Sequence, residues 1–169
     1  RFSSDCNSFS GILSMARRVK RKQGLDMLII DYLQLIDSGV RMERRQLEIG
    51  YMTRRFKALA KELGVPILLL SQLNRPSRGE DDMKPRLESL RESGDIEQDA
   101  DVVLFTHRPN PKTYDQECGR SWQGRGMIVV AKNREGERDV DVKYAHDPYF
   151  KIFVDDGDDD PEWKCGDTS

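Results

Sequence analysis

Two short apolar runs, each closing on polar residues, stand on either side of one long amphipathic segment, and that alternation restricts the fold most. Leu25–Asp31 and Pro66–Gln72 have the length and aliphatic content of buried strands. Between them, Met52, Phe56, Leu59 and Leu63 recur at helical spacing, which predicts a helix from Leu47 to Leu63 ended by Gly64. An earlier helix is predicted over residues 8–22, capped by Ser8 or Ser10, with Ile12, Ala16 and Val19 on one face. Arg17, Arg18, Lys20, Arg21 and Lys22 crowd its carboxyl end, where cations complement the helix dipole. A short helix over 93–100 then leads into a third apolar strand, Asp101–His107.

Beyond residue 124 the apolar period falls to two. Gly126–Lys132, Val140–Tyr144 and Phe150–Val154 predict antiparallel strands, with His146-Asp147-Pro148 as a turn. Residues 37–45, 74–88 and 108–124 are polar and read as loops. The order predicts an α/β fold with a largely parallel central sheet, flanking helices and antiparallel strands at the C-terminal edge.

Charge divides the chain. From Asp155 onward seven acids face only Lys164, giving a tail of −6, so the net charge of −2 leaves a body of +4. The expected organisation is one domain over 1–154 and a disordered acidic tail over 155–169. The longest apolar runs, Met27–Ile30 and Val65–Leu70, fall far short of the roughly 18–20 residues that span a bilayer, so no membrane role is expected. No basic-then-apolar leader opens the chain, so no signal peptide is expected; its start at Arg1-Phe2 rather than Met suggests a fragment. Cys6, Cys118 and Cys165 are scattered, and His107 and His146 stand alone. That pattern fits reduced thiols rather than a disulfide framework or a zinc site.

Ligands of open α/β sheets gather beyond the carboxyl ends of the strands, so the residues there are the candidates. Asp31 follows Leu28-Ile29-Ile30 in the form of a Walker B strand, where a carboxylate suits Mg²⁺; a turn or helix-cap acceptor is the other reading. Gln72 closes the neighbouring strand, and its amide could both donate to a terminal phosphate and accept from an attacking water, or simply satisfy loop backbone. Lys132 and Arg134, two apart at a strand end, leave on one face and could reach an anion on another subunit, as an arginine finger does. A solvated hairpin turn closed by Gly136 would use the same residues.

Five segments together resemble the C-terminal ATPase domain of the DnaB family of replicative hexameric DNA helicases. They are Ile29-Ile30-Asp31-Tyr32-Leu33-Gln34-Leu35, Lys57-Ala58-Leu59-Ala60-Lys61-Glu62-Leu63, Leu70-Ser71-Gln72-Leu73-Asn74-Arg75, Leu90 through Asp101, and Lys132-Asn133-Arg134-Glu135-Gly136. The resemblance implies a RecA-like fold, ring hexamers, and ATP-driven 5′→3′ movement on single-stranded DNA in the cytoplasm, at the nucleoid, of a bacterium or its phage. It makes Asp31 the magnesium ligand, Gln72 the γ-phosphate sensor, and Lys132 and Arg134 residues acting in trans on a neighbour's ATP. It places Arg91, Glu92 and Gly94 in a central-channel loop that holds the DNA backbone, where Arg91 and backbone N–H groups near Gly94 suit a phosphate better than Glu92 does. Primase and a helicase loader would meet regions absent from this sequence.

Two departures accompany the resemblance. No G-x-x-x-x-G-K-[ST] occurs, and Tyr32 rather than a glutamate follows Asp31. The sequence therefore corresponds to the second half of such a motor, expected to be inactive alone and to expose apolar surface where the phosphate-binding strand and helix would pack. Another RecA-superfamily ATPase, such as a RadA-like repair protein, tolerates Lys-Asn-Arg-x-Gly too, but the Asp31–Leu35 and Ser71–Arg75 blocks favour the helicase. A non-catalytic single-stranded DNA-binding module would need stacking aromatics, whereas Phe56, Phe105 and Phe150 fall at core-like spacings.

Overall fold

Ser8 opens the first helix because its Oγ accepts a hydrogen bond from the Gly11 N–H at 3.2 Å, satisfying an otherwise orphaned donor. A computed structural model describes residues 8–73, 83–117, 119–147 and 152–155. Helix α1 (Phe9–Gln23) places Lys20, Arg21 and Lys22 in its last turn, as expected. Its buried stripe is Phe9, Leu13 and Ala16, with Ile12 partly buried, so the core face is rotated from the predicted Ile12–Ala16–Val19 line. Phe9 draws it round, packing edge-on to Phe56 (5.0 Å, 88°) and Tyr51 (5.8 Å, 63°).

Helix α2 (Arg45–Leu63) buries Ile49, Met52, Phe56 and Leu59, and stops where Gly64 takes the left-handed conformation (φ 59°) and its N–H bonds to the Ala60 carbonyl. The two helices are also tied by a bidentate pair: Arg17 Nε and Nη2 donate to the two Glu62 carboxylate oxygens, both at 2.7 Å. This pair raises the Arg17 pKa and holds the Glu62 carboxyl below its usual range, chiefly through the side-chain hydrogen bond.

Strands β1 (Leu28–Ile30) and β2 (Ile67–Leu69) pair in parallel, with Leu28 opposite Ile67 and Ile30 opposite Leu69. Both are shorter than their apolar runs. After Ile30 the chain turns into a 3-10 segment, Leu33–Leu35, whose first residue is completely buried, while Leu25 packs against the helical core. Residues 8–73 and 89–100 belong to one compact unit, and 83–88 and 101–155 to a second. A 3-10 stretch (Leu87–Ser93), of which residues 89–93 belong to the first unit, runs into α3 (Gly94–Asp99), which matches the short helix expected over 93–100. The α3 end is fixed to α2 by Thr53 Oγ1, which donates to Asp99 Oδ2 at 2.6 Å.

The second unit carries an antiparallel sheet in the order β3 (Val102–His107), β4 (Arg125–Asn133), β5 (Val140–Asp147) and β6 (Ile152–Asp155). Both the parallel and the antiparallel pairings of the expected α/β fold are present, and β3, the third predicted strand, heads the antiparallel set. Strand β5 runs on through Asp147, opposite Ile152, so His146 and Asp147 of the predicted His146-Asp147-Pro148 turn are strand residues, and Pro148 lies outside the described residues. The acidic tail beyond Asp155, the loop residues 74–82 and all three cysteines also lie outside them.

The long polar segment before β4 is held by a buried charge cluster. Asp115, 4% exposed, accepts the Glu117 N–H on Oδ1 at 2.9 Å and pairs through Oδ2 with Lys143 Nζ at 2.9 Å. Lys143 also donates to Glu117 Oε2 at 2.5 Å, and buried Arg125 lies 4.0 Å from Asp115 while stacking over Trp122 at 5.3 Å. Hydrogen bonds to Glu117 and Asp115 push the Lys143 pKa well above its ordinary value.

Candidate nucleotide site

Parallel pairing sets the ends of β1 and β2 side by side. The Leu70 N–H bonds to the Ile30 carbonyl (3.0 Å) and the Leu33 N–H to the Leu70 carbonyl (2.9 Å), so Asp31 sits where the first strand leaves the ladder. Gln72 lies two residues past Leu70 on the continuation of the adjoining strand, and adjacent strands run about 4.8 Å apart. Both side chains are exposed, as ligand-facing groups at strand ends must be. The two sequence candidates of the first unit thus share one sheet edge.

A third side chain there escaped the sequence candidates. Gln34 Nε2 donates to Ser71 Oγ (2.9 Å) and to the Gln72 carbonyl (3.3 Å), while its Oε1 accepts the Gln72 N–H (3.3 Å). Its own carbonyl accepts Arg45 Nη2 at 3.2 Å, beside a second bond from Arg45 to the Ile36 carbonyl at 2.9 Å. Arg45 is oriented by its salt bridge to Glu48 within α2. The only hint in the sequence was position: Gln34 stands three residues beyond Asp31 in the block that carries the resemblance.

In the second unit, Lys132 lies half-buried on β4 opposite Val103, just past a register shift between Val103 and Leu104. Arg134 comes one residue after the strand. Its backbone N–H bonds to the Asp101 carbonyl (2.9 Å), and its guanidinium Nη1 to Asp101 Oδ1 (3.0 Å). Both partners of that ion pair are about half exposed, 55% and 53%. A Cβ on Gly136 would meet only the Asn133 side chain, whose amide can move aside. Arg91 and Glu92 fall in the 3-10 stretch and Gly94 begins α3.

The outer face of the β1–β2 pair is apolar and uncovered: register partners Ile29 and Leu68 are 59% and 48% exposed. The exposure expected where a phosphate-binding strand and helix would pack is therefore seen. Purified as the 169-residue chain, the protein should bind an apolar dye and self-associate. A cooperatively folded monomer that leaves the dye dark would refute this.

An α/β unit whose parallel strands end together on a carboxylate and an amide is the architecture of a RecA-like ATPase domain. The chain belongs to the DnaB-like helicase C terminal domain family, whose model matches residues 3–155. It is 52% identical over 160 residues to the replicative DNA helicase DnaB of Rickettsia conorii, covering 86% of this chain and 32% of that protein. To the Mycobacterium leprae DnaB it is 43% identical over 143 residues, covering 85% of this chain and 23% of that protein. Its fold matches a solved DnaB-like replicative helicase, described together with its interactions with primase, with a TM-score of 0.76 at 33% identity. That match covers 88% of this chain and 36% of the solved one. The chain thus spans about a quarter to a third of the length of the curated relatives it matches. Phe56 and Phe105, buried at 3% and 4%, are core residues and offer no stacking platform. Among the described helices, none is long and apolar enough to cross a membrane.

Proposed function

We propose that this chain forms part of an ATP-dependent replicative DNA helicase, in which six copies close a ring and translocate 5′→3′ along single-stranded DNA in a bacterial or phage-infected cytoplasm. The observation that carries the proposal is the joint ending of β1 and β2 on Asp31 and Gln72, in a chain of the DnaB-like family. ATP is the nucleotide, and Asp31 is its metal-binding carboxylate. The exposed carboxylate fits Mg²⁺, a hard cation that takes one or two carboxylates, phosphate oxygens and water. Bound there, Mg²⁺ would offset charge on the β- and γ-phosphates.

The chain's own groups divide the remaining work. Gln72 donates its amide N–H to the terminal phosphate and accepts from the attacking water, so its position reports whether that phosphate is present. Arg134, with Lys132, reaches the ATP of the adjoining subunit and stabilises charge that grows as the phosphoryl group transfers. Without a G-x-x-x-x-G-K-[ST] of its own, the 169-residue chain alone should not hydrolyse ATP.

Arg91, Glu92 and Gly94 form the DNA-holding loop of this proposal, with Arg91 on a backbone phosphate. In the full-length helicase, Arg91→Ala should weaken single-stranded DNA binding uniformly across sequences. It should also flatten the log–log salt dependence by about one contact's worth, roughly 0.7 in slope. Fluorescence anisotropy titrations at several salt concentrations test it; an unchanged slope would remove Arg91 from the DNA path.

A further inference from the structure

We infer that Gln34 is a positioning residue that locks the γ-phosphate sensor to the Walker B turn. The inference rests on the reading of Gln72 as that sensor. Beyond Ile30 the first strand abandons the ladder for a 3-10 turn, and its last backbone bond to the second strand's continuation is from the Leu33 N–H to the Leu70 carbonyl, two residues short of Gln72. The Gln34 carboxamide takes over at Gln72. It presents one N–H and one C=O to the C=O and N–H of Gln72, at 3.3 Å each, as a peptide group of a neighbouring strand would. Its second N–H goes to Ser71 Oγ at 2.9 Å.

The carboxamide is itself held from behind. Leu33, next in sequence, is fully buried, and Arg45 grips the carbonyls of Gln34 and Ile36 from the start of α2. Asp31 and Gln34 therefore ride on one anchored turn, and Gln72 is fastened to that turn by its main chain while its side chain remains exposed. A shift of the metal-binding carboxylate on nucleotide binding is passed to the Gln72 backbone by the Gln34 side chain, beside the Leu33–Leu70 backbone bond. Gln34 touches no substrate in this scheme; it acts through Gln72.

The test uses ATP hydrolysis by the full-length helicase with single-stranded DNA, comparing Gln34→Ala, Gln72→Ala and the double variant. Gln34→Ala should lower kcat on the order of tenfold while leaving the KM for ATP within about twofold. The double variant should be no slower than Gln72→Ala alone, because both changes remove the same function. Gln34→Glu keeps the length and the acceptor for the Gln72 N–H but cannot donate. It should show the same kcat loss, so the test survives poor folding of the alanine variant. Unchanged kcat in both Gln34 variants, a rise in KM alone, or losses that multiply in the double variant would overturn the inference. Wild-type hydrolysis by Gln72→Ala would instead overturn the sensor reading, whatever the Gln34 variants do.

Discussion

Replacing Arg134 by alanine in the full-length helicase should cut ATP hydrolysis by about 10³–10⁵ while nucleotide affinity stays nearly unchanged, because a finger acts on charge that develops only in the transition state. That loss corresponds to about 4–7 kcal/mol. The guanidinium is engaged within its own chain by Asp101 at 3.0 Å, and magnitudes decide whether this prevents action elsewhere. A half-exposed ion pair is worth about 0–1 kcal/mol, several-fold less than the transition-state interaction it would give up. A pair of that strength would not keep Arg134 from acting as a finger. Steady-state hydrolysis together with equilibrium binding of a fluorescent nucleotide checks both halves of the prediction, and a parallel loss of binding would contradict it.

The second large effect concerns stability. Asp115→Ala should destabilise the antiparallel unit by about 3 kcal/mol, the low end for breaking a buried ion pair, since Lys143 keeps Glu117 as a partner. Arg125 would lose the buried carboxylate 4.0 Å from it, and the Glu117 N–H its acceptor. Thermal melting followed by circular dichroism should fall by roughly 10 °C. A shift under about 2 °C would mean the cluster is ornamental. The pH dependence carries a sign as well. Because the Lys143 pKa is raised on folding, its contribution is complete below the unfolded value of about 10.4 and fades only as pH climbs through the higher folded one. Between about pH 6 and 9 the cluster should hold steady.

Much of this architecture was legible because local signals agreed with one another. Ser8 before an apolar stripe and Gly64 after one marked helix ends that the structure keeps, since both act through their own backbone neighbours. The positions of Asp31 and Gln72 followed from where two aliphatic runs stop. What stayed hidden depends on contacts distant in sequence. Gln34 and Ser71 are 37 residues apart, Arg134 and Asp101 33 apart, and no periodicity announces either pair. The rotation of the α1 face had the same origin, because Phe9 answers to Phe56 rather than to its own helix. Asp115 looked like one more acid in a polar loop, and only the fold of β4 and β5 around it makes it a buried anchor.

Mixing two inactive proteins tests the shared site most directly. Full-length Asp31→Asn subunits keep Arg134, and Arg134→Ala subunits keep Asp31, so no single chain in the mixture has both. If Arg134 serves the ATP of the adjoining subunit, equal mixing should restore about one site in four, each interface drawing its two halves independently. Hydrolysis should then rise with mixing ratio to a maximum near equality. Hydrolysis that stays at the level of the separate variants across all ratios, in rings shown to exchange subunits, would contradict the account.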